Sequence, residues 1–297
     1  MTRTALVTGA AGFIGSALVR SLSGSGVRVH GLDLQPAPDY LRSLIANWTV
    51  ADISSGLPAG VERVDAVFHC AGGATVGASF DNPAADYLAN VATTESVLGG
   101  VAGWADTRIV LVSSAAVYGN QSPAAIPESA ELKPISPYAE HKRAAEERVR
   151  NSRLSVAVVR LFSVYGRGLR KQLLWDACQK FSRGASDFGG TGAEIRDWIH
   201  VDDAAALLVK AASVATPSCP VFNGGTGAPV AVRQVLEMLA QRLGCTAPLR
   251  FSGKARPGDP PAMVASVQAA RAIGWAPTVS LGDGLSEYAK WFKSLSA

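Results

Sequence analysis

No run of about 18 consecutive apolar residues occurs in this 297-residue chain, so no membrane-spanning helix is expected. Cysteine is scarce. Cys70, Cys178, Cys219 and Cys245 form no Cys-x-x-Cys pair and have no histidine at zinc-ligand spacing, so a disulfide framework or a zinc site is not expected and the thiols are read as buried and reduced. A strong charge of either sign is missing as well. The net charge of +4 is too small over this length to point to nucleic acid. Charged residues make up 18% and hydrophobic residues 48%, the balance of a folded globular chain rather than a disordered one. Met1-Thr2-Arg3-Thr4 leads into a short apolar run and then a glycine-rich turn, a pattern of neither a signal peptide nor a membrane span. The reducing cytosol is the expected compartment.

What is present is alternation. Ala5–Val7, Val27–Leu32, Ala66–Cys70, Ile109–Val112 and Ser155–Leu161 read as buried strands, while Ile14–Ser23, Asp86–Gly103 and Tyr138–Asn151 carry helical periodicity. Strands alternating with helices predict an α/β fold, a doubly wound parallel sheet of Rossmann type with helices on both faces. Beyond Gly166 the alternation loosens and Pro and Gly become frequent, with helices predicted at Lys171–Phe181, Val201–Ala212, Ala231–Leu243 and Gly282–Lys293. The expected division is a dinucleotide-binding domain over 1–166 with a returning segment at about 196–225. A smaller, interleaved substrate lobe is expected from 167–195 and 226–297.

The first strand runs into Thr8-Gly9-Ala10-Ala11-Gly12-Phe13-Ile14-Gly15 and a helix follows. A glycine-rich turn there admits a pyrophosphate close to the backbone, and the helix start offers free N–H groups and a positive dipole end. A glycine motif alone is weak; its place between strand and helix is what gives it meaning. Asp33 closes the next strand, 18 residues after Gly15. Its carboxylate can accept from the adenosine ribose hydroxyls and would repel a 2′-phosphate. Leu34 and Gln35 add no positive charge, so NAD is expected rather than NADP.

Ser136-Pro137 is a helix start, with Ser as the cap and Pro in the first turn. Tyr138 and Lys142 then share one helix face. A phenol ordinarily titrates near pH 10. A nearby ammonium, a cationic nicotinamide and the helix N-terminus are expected to bring it to phenolate near neutrality, a base suited to an alcohol that loses hydride. Ser114 ends a central strand, where open α/β sheets bind ligands, and its hydroxyl can bridge Tyr138 and a substrate oxygen.

The glycine spacing, GxxGxxG, belongs with a set of ordered motifs: TGAAGFIG at 8–15, Asp52-Ile53, HCAGGATVGAS at 69–79, Asn90-Val91, SSAAVYG at 113–119, YAEHK at 138–142, RLFSVYG at 160–166, RDWIHVDD at 196–203 and RPGD at 256–259. Over essentially its whole length the chain resembles the extended short-chain dehydrogenase/reductase family, and within it the nucleotide-sugar epimerases and dehydratases. The resemblance implies Ser114, with Ser113 as runner-up, Tyr138 and Lys142 as the catalytic set. It implies a cofactor held by Gly9, Gly12, Phe13, Ile14 and Gly15, by Asp33 and Leu34, by Asp52 and Ile53, by Cys70, Ala71 and Gly72, and by Asn90, Val112, Leu161 and Ser163 beside Tyr138 and Lys142. Arg196 and Arg256 stand at diphosphate-contacting positions, Asp259 at a ribose-contacting one, and Trp198 either walls the nucleotide pocket or packs. Tyr118 is expected to pack.

The resemblance also separates reactions. The 4,6-dehydratases of the family carry an Asp-Glu pair after the catalytic Ser/Thr. Ala115 and Ala116 stand there and cannot move protons. A nucleotide-sugar 4-epimerase and a 4-keto-sugar reductase both remain open, with the epimerase favoured by Asp33 and by the look of Gly72–Ser79. An idle NAD-binding regulator and a dehydrogenase of apolar ketones are the readings from other classes. The intact catalytic set argues against the first and the two arginines against the second. His141 beside Lys142 is read as facing away from the site. Ser163 replaces an Asn common in the family, and basic Arg170 or Lys171, next to Gln172, is expected to compensate in binding the diphosphate. A homodimer through the helices at Asp86–Gly103 and Tyr138–Asn151 is expected by the same resemblance.

Overall fold

The computed structural model describes residues 3–73, 75–121, 125–254 and 260–295. In its first half the elements are β1 (Thr4–Thr8), α1 (Phe13–Gly24), β2 (Arg28–Asp33), α2 (Asp39–Arg42), β3 (Asn47–Val50), β4 (Ala66–His69), α3 (Val76–Asp81), α4 (Pro83–Tyr87), α5 (Thr93–Val101), β5 (Arg108–Ser114), α6 (Pro137–Asn151) and β6 (Ser155–Leu161). Then come β7 (Ser163–Tyr165), α7 (Gln172–Phe181), β8 (Asp187–Phe188), β9 (Ile195–His200), α8 (Val201–Ser213), β10 (Val221–Gly224), β11 (Pro229–Ala231), α9 (Val232–Leu243), β12 (Arg250–Phe251), β13 (Ala262–Met263), α10 (Gln268–Ala272) and α11 (Leu281–Ser294).

Seven strands make the parallel sheet, in the order β10-β6-β5-β4-β1-β2-β3. Its inner strands are apolar on both faces: Ala5, Leu6 and Val7 are fully buried, as are Val156 to Val159. That is the reason they read as continuous apolar runs rather than alternating ones. One face packs α1 and α8 through Leu18, Leu207 and Leu208. The other packs α5 and α6 through Val97, Val101, Ala145 and Val149. The strand order reverses between β1 and β4, so the crevice at their C-terminal ends is the expected ligand site.

The second half builds a second apolar core from α7, α9 and α11, with Leu174, Phe181, Leu236, Leu239 and Tyr288 at its centre. Segment 196–225 divides: β9 pairs with β7, β11 and β13 in a small sheet, whereas α8 lies on the large sheet and β10 extends its edge. Two fully desolvated carboxylates stitch this region together. Asp197 accepts from Thr226 N and Oγ1 at 2.6 and 2.7 Å, from Gly227 N at 2.8 Å and from Ala265 N at 3.0 Å. Asp203, at the start of α8, accepts from Thr278 N and Val279 N at 2.9 and 3.0 Å.

One expected helix differs. The stretch predicted as a single helix from Asp86 starts at Pro83, capped by Asn82 Oδ1 on Ala85 N at 3.0 Å, and passes through a π-helical turn at Leu88–Ala92 before α5. An Asn cap followed by Pro is the stronger start signal. The π turn has no periodicity signature, and such turns cluster at functional sites. Among the described residues no helix is long and apolar enough to cross a membrane. Cys178 and Cys219 are buried, Cys70 and Cys245 half-buried, and all four are free thiols.

A buried polar link joins α6 to the sheet. Glu146 and Arg160, with side chains 2% and 3% exposed, are bidentate: Arg160 Nη2 donates to Oε2 at 2.7 Å and Nε to Oε1 at 3.0 Å. Ser113 Oγ donates to Glu146 Oε1 at 2.5 Å, and Arg160 Nη1 reaches Tyr118 Oη at 2.9 Å. Removing one partner strands a buried charge. Glu146→Ala is therefore expected to cost about 3–5 kcal/mol in urea unfolding, and a loss within about 0.5 kcal/mol, the range of surface changes, would contradict this role.

Candidate active site

A cleft of about 780 Å³ opens at the C-terminal ends of the central strands. Its floor is the glycine loop. Gly9 has φ +66° and turns the chain so that Gly12 N donates to Gly9 O at 3.0 Å. A Cβ on Gly9 would stand 2.7 Å from Ala71 N, and one on Gly15 would stand 2.1 Å from Gly9 O. Only glycine permits these backbone approaches. No side chain caps α1 at Gly12, which leaves the first N–H groups of the helix for a ligand. A pyrophosphate fits this cradle.

Most of the predicted cofactor set lines the cleft: Gly9, Gly12, Phe13, Ile14, Gly15, Asp33, Leu34, Asp52, Ile53, Cys70, Ala71, Gly72, Val112 and Leu161, with Ser114, Tyr138, Lys142, Lys171 and Gln172. Asp33 also has a task the sequence did not signal. Its Oδ2 accepts from Ala11 N at 2.9 Å, bracing the glycine loop, while Oδ1 accepts from Gln35 N at 3.1 Å. The Ser54 backbone N–H, 2.8 Å from Asp52 Oδ1, holds the Asp52 carboxyl below the usual range. Asn90 is different. It sits buried on the π turn behind Gly72, with Nδ2 donating to Asp86 O at 3.0 Å and Oδ1 without a hydrogen-bond partner.

At the inner end, β5 delivers Ser114 and α6 delivers Tyr138 and Lys142. Ser136 Oγ caps α6 by accepting from Ala139 N at 3.2 Å, with Pro137 in the first turn. The Ser114 hydroxyl, which accepts from Ala116 N at 3.2 Å, faces the Tyr138 phenol and favours its ionised form. Lys142 Nζ donates to Val112 O at 3.1 Å and lies 5.9 Å from the Tyr138 ring centroid. The runner-up Ser113 points the other way, onto Glu146. Tyr118 is fully buried, its hydroxyl donating to Asn223 Oδ1 at 2.7 Å.

The protein's own groups act on the phenol chiefly through desolvation. Desolvation pushes the Tyr138 phenol up to about 12; the Ser114 hydrogen bond pulls it down and the Asp86 carboxylate pushes it further up. Desolvation also lowers Lys142 to about 8, against Asp86, Cys70 and Glu146. The protein's own groups therefore keep the phenol protonated at neutral pH.

The substrate-side residues scatter more. A smaller cavity of about 160 Å³ adjoins the cleft, sharing Ser114, Ala116 and Phe162 with it and adding Ser163 and Arg196. Ser163 thus lines this cavity rather than the cofactor cleft. Trp198 lines neither. It is buried in the second core, edge-on to Tyr165 at 6.5 Å, because β9 turns that position inward. Arg170 stacks over the Trp291 ring at 5.6 Å, away from the cleft, which leaves Lys171 as the local cation at its wall. Arg256 and Asp259 lie outside the described residues. Among those described, no cluster of His, Cys, Asp and Glu is arranged to hold a metal ion.

A doubly wound sheet with a dinucleotide cradle and a Ser-Tyr-Lys set at its floor defines a nucleotide-dependent hydride-transfer site. The chain matches the NAD dependent epimerase/dehydratase family over residues 5–223 and belongs to it. It is similar to the UDP-glucose 4-epimerase of Azospirillum brasilense, 31% identical, with 98% of this chain and 92% of the relative covered. Among solved structures it is similar to MoeE5 in complex with UDP-glucuronic acid and NAD, with TM-score 0.90, 31% identity and 98% and 99% coverage. The UDP-glucose 4-epimerase of Thermotoga maritima with UDP-glucose also aligns, with TM-score 0.90, 26% identity and 99% and 100% coverage.

His69 supports the cleft from below. Its Nδ1 meets Thr8 Oγ1 at 2.8 Å and its Nε2 meets Thr94 Oγ1 at 3.2 Å. Because Thr94 Oγ1 donates to Asn90 O at 2.7 Å, the network assigns the proton to Nε2. Burial, with the Lys142 charge, lowers His69 to about 3. The unfolded chain takes up this proton near pH 6.5 and the native state does not, so stability is complete above pH 6.5 and falls as pH drops below it. Between pH 6.5 and 5 the wild type is expected to lose about 1.5 kcal/mol more than His69→Gln; parallel losses in urea titrations would refute the assignment.

Proposed function

We propose that this chain is an NAD-dependent nucleotide-sugar 4-epimerase. The observation that carries the reading is the placement of Ser114, Tyr138 and Lys142 at the floor of the glycine cradle, followed by Ala115 and Ala116 where a dehydratase needs acids. The two named 4-epimerase relatives support the same reaction. Bound NAD⁺ supplies the hydride acceptor and a positive charge near the phenol. Asp33 accepts from the ribose hydroxyls, and Gly12 to Gly15 receive the pyrophosphate.

Tyr138 Oη removes the proton from the sugar 4-hydroxyl while the C4 hydrogen departs as hydride, leaving a 4-keto sugar. Ser114 Oγ holds the carbonyl oxygen and Lys142 favours the phenolate. Once the keto sugar has turned over and C4 is reduced from its opposite face, Tyr138 Oη would give its proton back to the 4-oxygen. Arg196, Arg256 and Lys171 bind the diphosphate, and Asp259 the nucleotide ribose. A partition of 1–166 for cofactor and 167–195 with 226–297 for substrate fits the second apolar core. We further propose a cytoplasmic homodimer in carbohydrate biosynthesis. Exposed Phe80, Tyr87 and Leu88 beside α6 support a subunit contact there.

Denaturing the purified protein should release NAD⁺, and UDP-, GDP-, CDP- or dTDP-hexoses should interconvert at C4 without added cofactor. A strict need for added NAD(P)H would instead establish the 4-keto-sugar reductase. Tyr138→Phe should lose roughly a hundredfold or more in kcat, within the range of a lost general base, while still releasing NAD⁺; retained turnover would remove the assigned base.

A further inference from the structure

One largely desolvated aspartate–histidine pair next to the catalytic turn takes no part in the chemistry described above. Asp86 on α4 and His141 on α6 meet at 2.7 Å between Oδ2 and Nδ1, with side chains only 7% and 17% exposed. They are 55 residues apart in sequence, and neither lines the cleft. His141 immediately precedes Lys142 and follows Tyr138 by three residues.

We propose that Asp86 and His141 form a positioning pair that clamps the Tyr138–Lys142 turn of α6 against the Gly72–Gly73 wall of the cleft. Three observations meet here. A carboxylate so deeply desolvated requires a donor, and His141 Nδ1–H is the one that α6 presents. The other carboxylate oxygen lies under the cleft wall: a Cβ on Gly73 would stand 2.5 Å from Asp86 Oδ1 and 2.9 Å from Asn90 Nδ2. The edge of the Tyr87 ring, from the same helix as Asp86, closes over His141 with centroids 5.5 Å apart and planes at 86°. The pair therefore fixes α4, the Gly72–Gly73 backbone and the catalytic turn to one another.

Its charge also reaches the catalytic groups. Besides its contact with His141, the carboxylate acts on Lys142 and Tyr138, both from α6. It favours the ammonium of Lys142 and opposes the phenolate of Tyr138, so it moves both titrations in the same direction, upward. A purely structural contact would move neither.

The inference rests on the reading of Tyr138 and Lys142 as the catalytic pair, and the experiment separates the two. In the NAD-loaded enzyme, Asp86→Asn keeps an acceptor for His141 and removes the charge. Its kcat at the optimum should stay near wild type, while both limbs of the kcat/KM pH profile move to lower pH by about half a unit or more. Asp86→Ala and His141→Leu remove the clamp and should lower kcat roughly ten- to a hundredfold with little change in KM, the mark of misplaced reacting groups. His141→Asn, which retains an N–H donor, should recover most of that loss. Melting temperature and bound NAD, measured alongside, identify any variant that does not fold; Asp86→Asn and His141→Asn then carry the test. Wild-type kcat in Asp86→Ala and His141→Leu, or limbs that stay fixed or move apart in Asp86→Asn, would overturn the proposal. If Tyr138→Phe retains turnover, the catalytic reading fails and the proposal with it. If Tyr138→Phe is dead and the Asp86 variants behave as wild type, only the clamp fails.

Discussion

The buried Glu146–Arg160 ion pair sets where α6, the helix of Tyr138 and Lys142, sits on the sheet. Glu146 lies one turn beyond Lys142 on α6, and Arg160 belongs to β6, next to the strand that ends in Ser114. Glu146 also holds Ser113, so one carboxylate links the helix that carries Tyr138 and Lys142 to the strand that carries Ser114. Two charges so deeply buried are a weak source of net stability, but they tolerate only one geometry. The spacing of hydroxyl, phenol and ammonium follows from that geometry.

Around this link the site is built in layers. The glycine loop is shaped by backbone approaches that no side chain could share, and Asp33 braces it from the next strand. His69 and its threonine partners support the loop from beneath, and Asp86 with His141 closes the side wall. The desolvation that comes with this enclosure raises Tyr138 and lowers Lys142. In the proposed reaction, the positive charge of bound NAD⁺ is what lets the phenol act as a base. That couples proton transfer to cofactor occupancy.

Much of this was legible in the sequence, for identifiable reasons. Parallel strands buried on both faces appear as unbroken apolar runs, and the Gly9–Gly15 turn and the Ser136-Pro137 cap are local signals that need no tertiary context. Three features had no such signal. The π turn at Leu88–Ala92 lacks its own periodicity. Trp198 sits in a motif that suggests a pocket, yet the strand register of β9 turns it into a core. Asp86 and His141 lie 55 residues apart and look like ordinary helix-surface charges until the fold buries them together. The extent to which burial raises the phenol had no such signal either: charges can be counted along a helix, but loss of water depends on everything packed around it.

In the proposed reaction the hydride removed at C4 returns to the same sugar without leaving the site. The most direct test follows a nucleotide sugar deuterated at C4 through many turnovers, with free NAD⁺ in excess and no reductant. Both epimers should keep the deuterium at C4, with none entering the free NAD pool or the solvent. Deuterium appearing in free NADH, or lost to water, would contradict it.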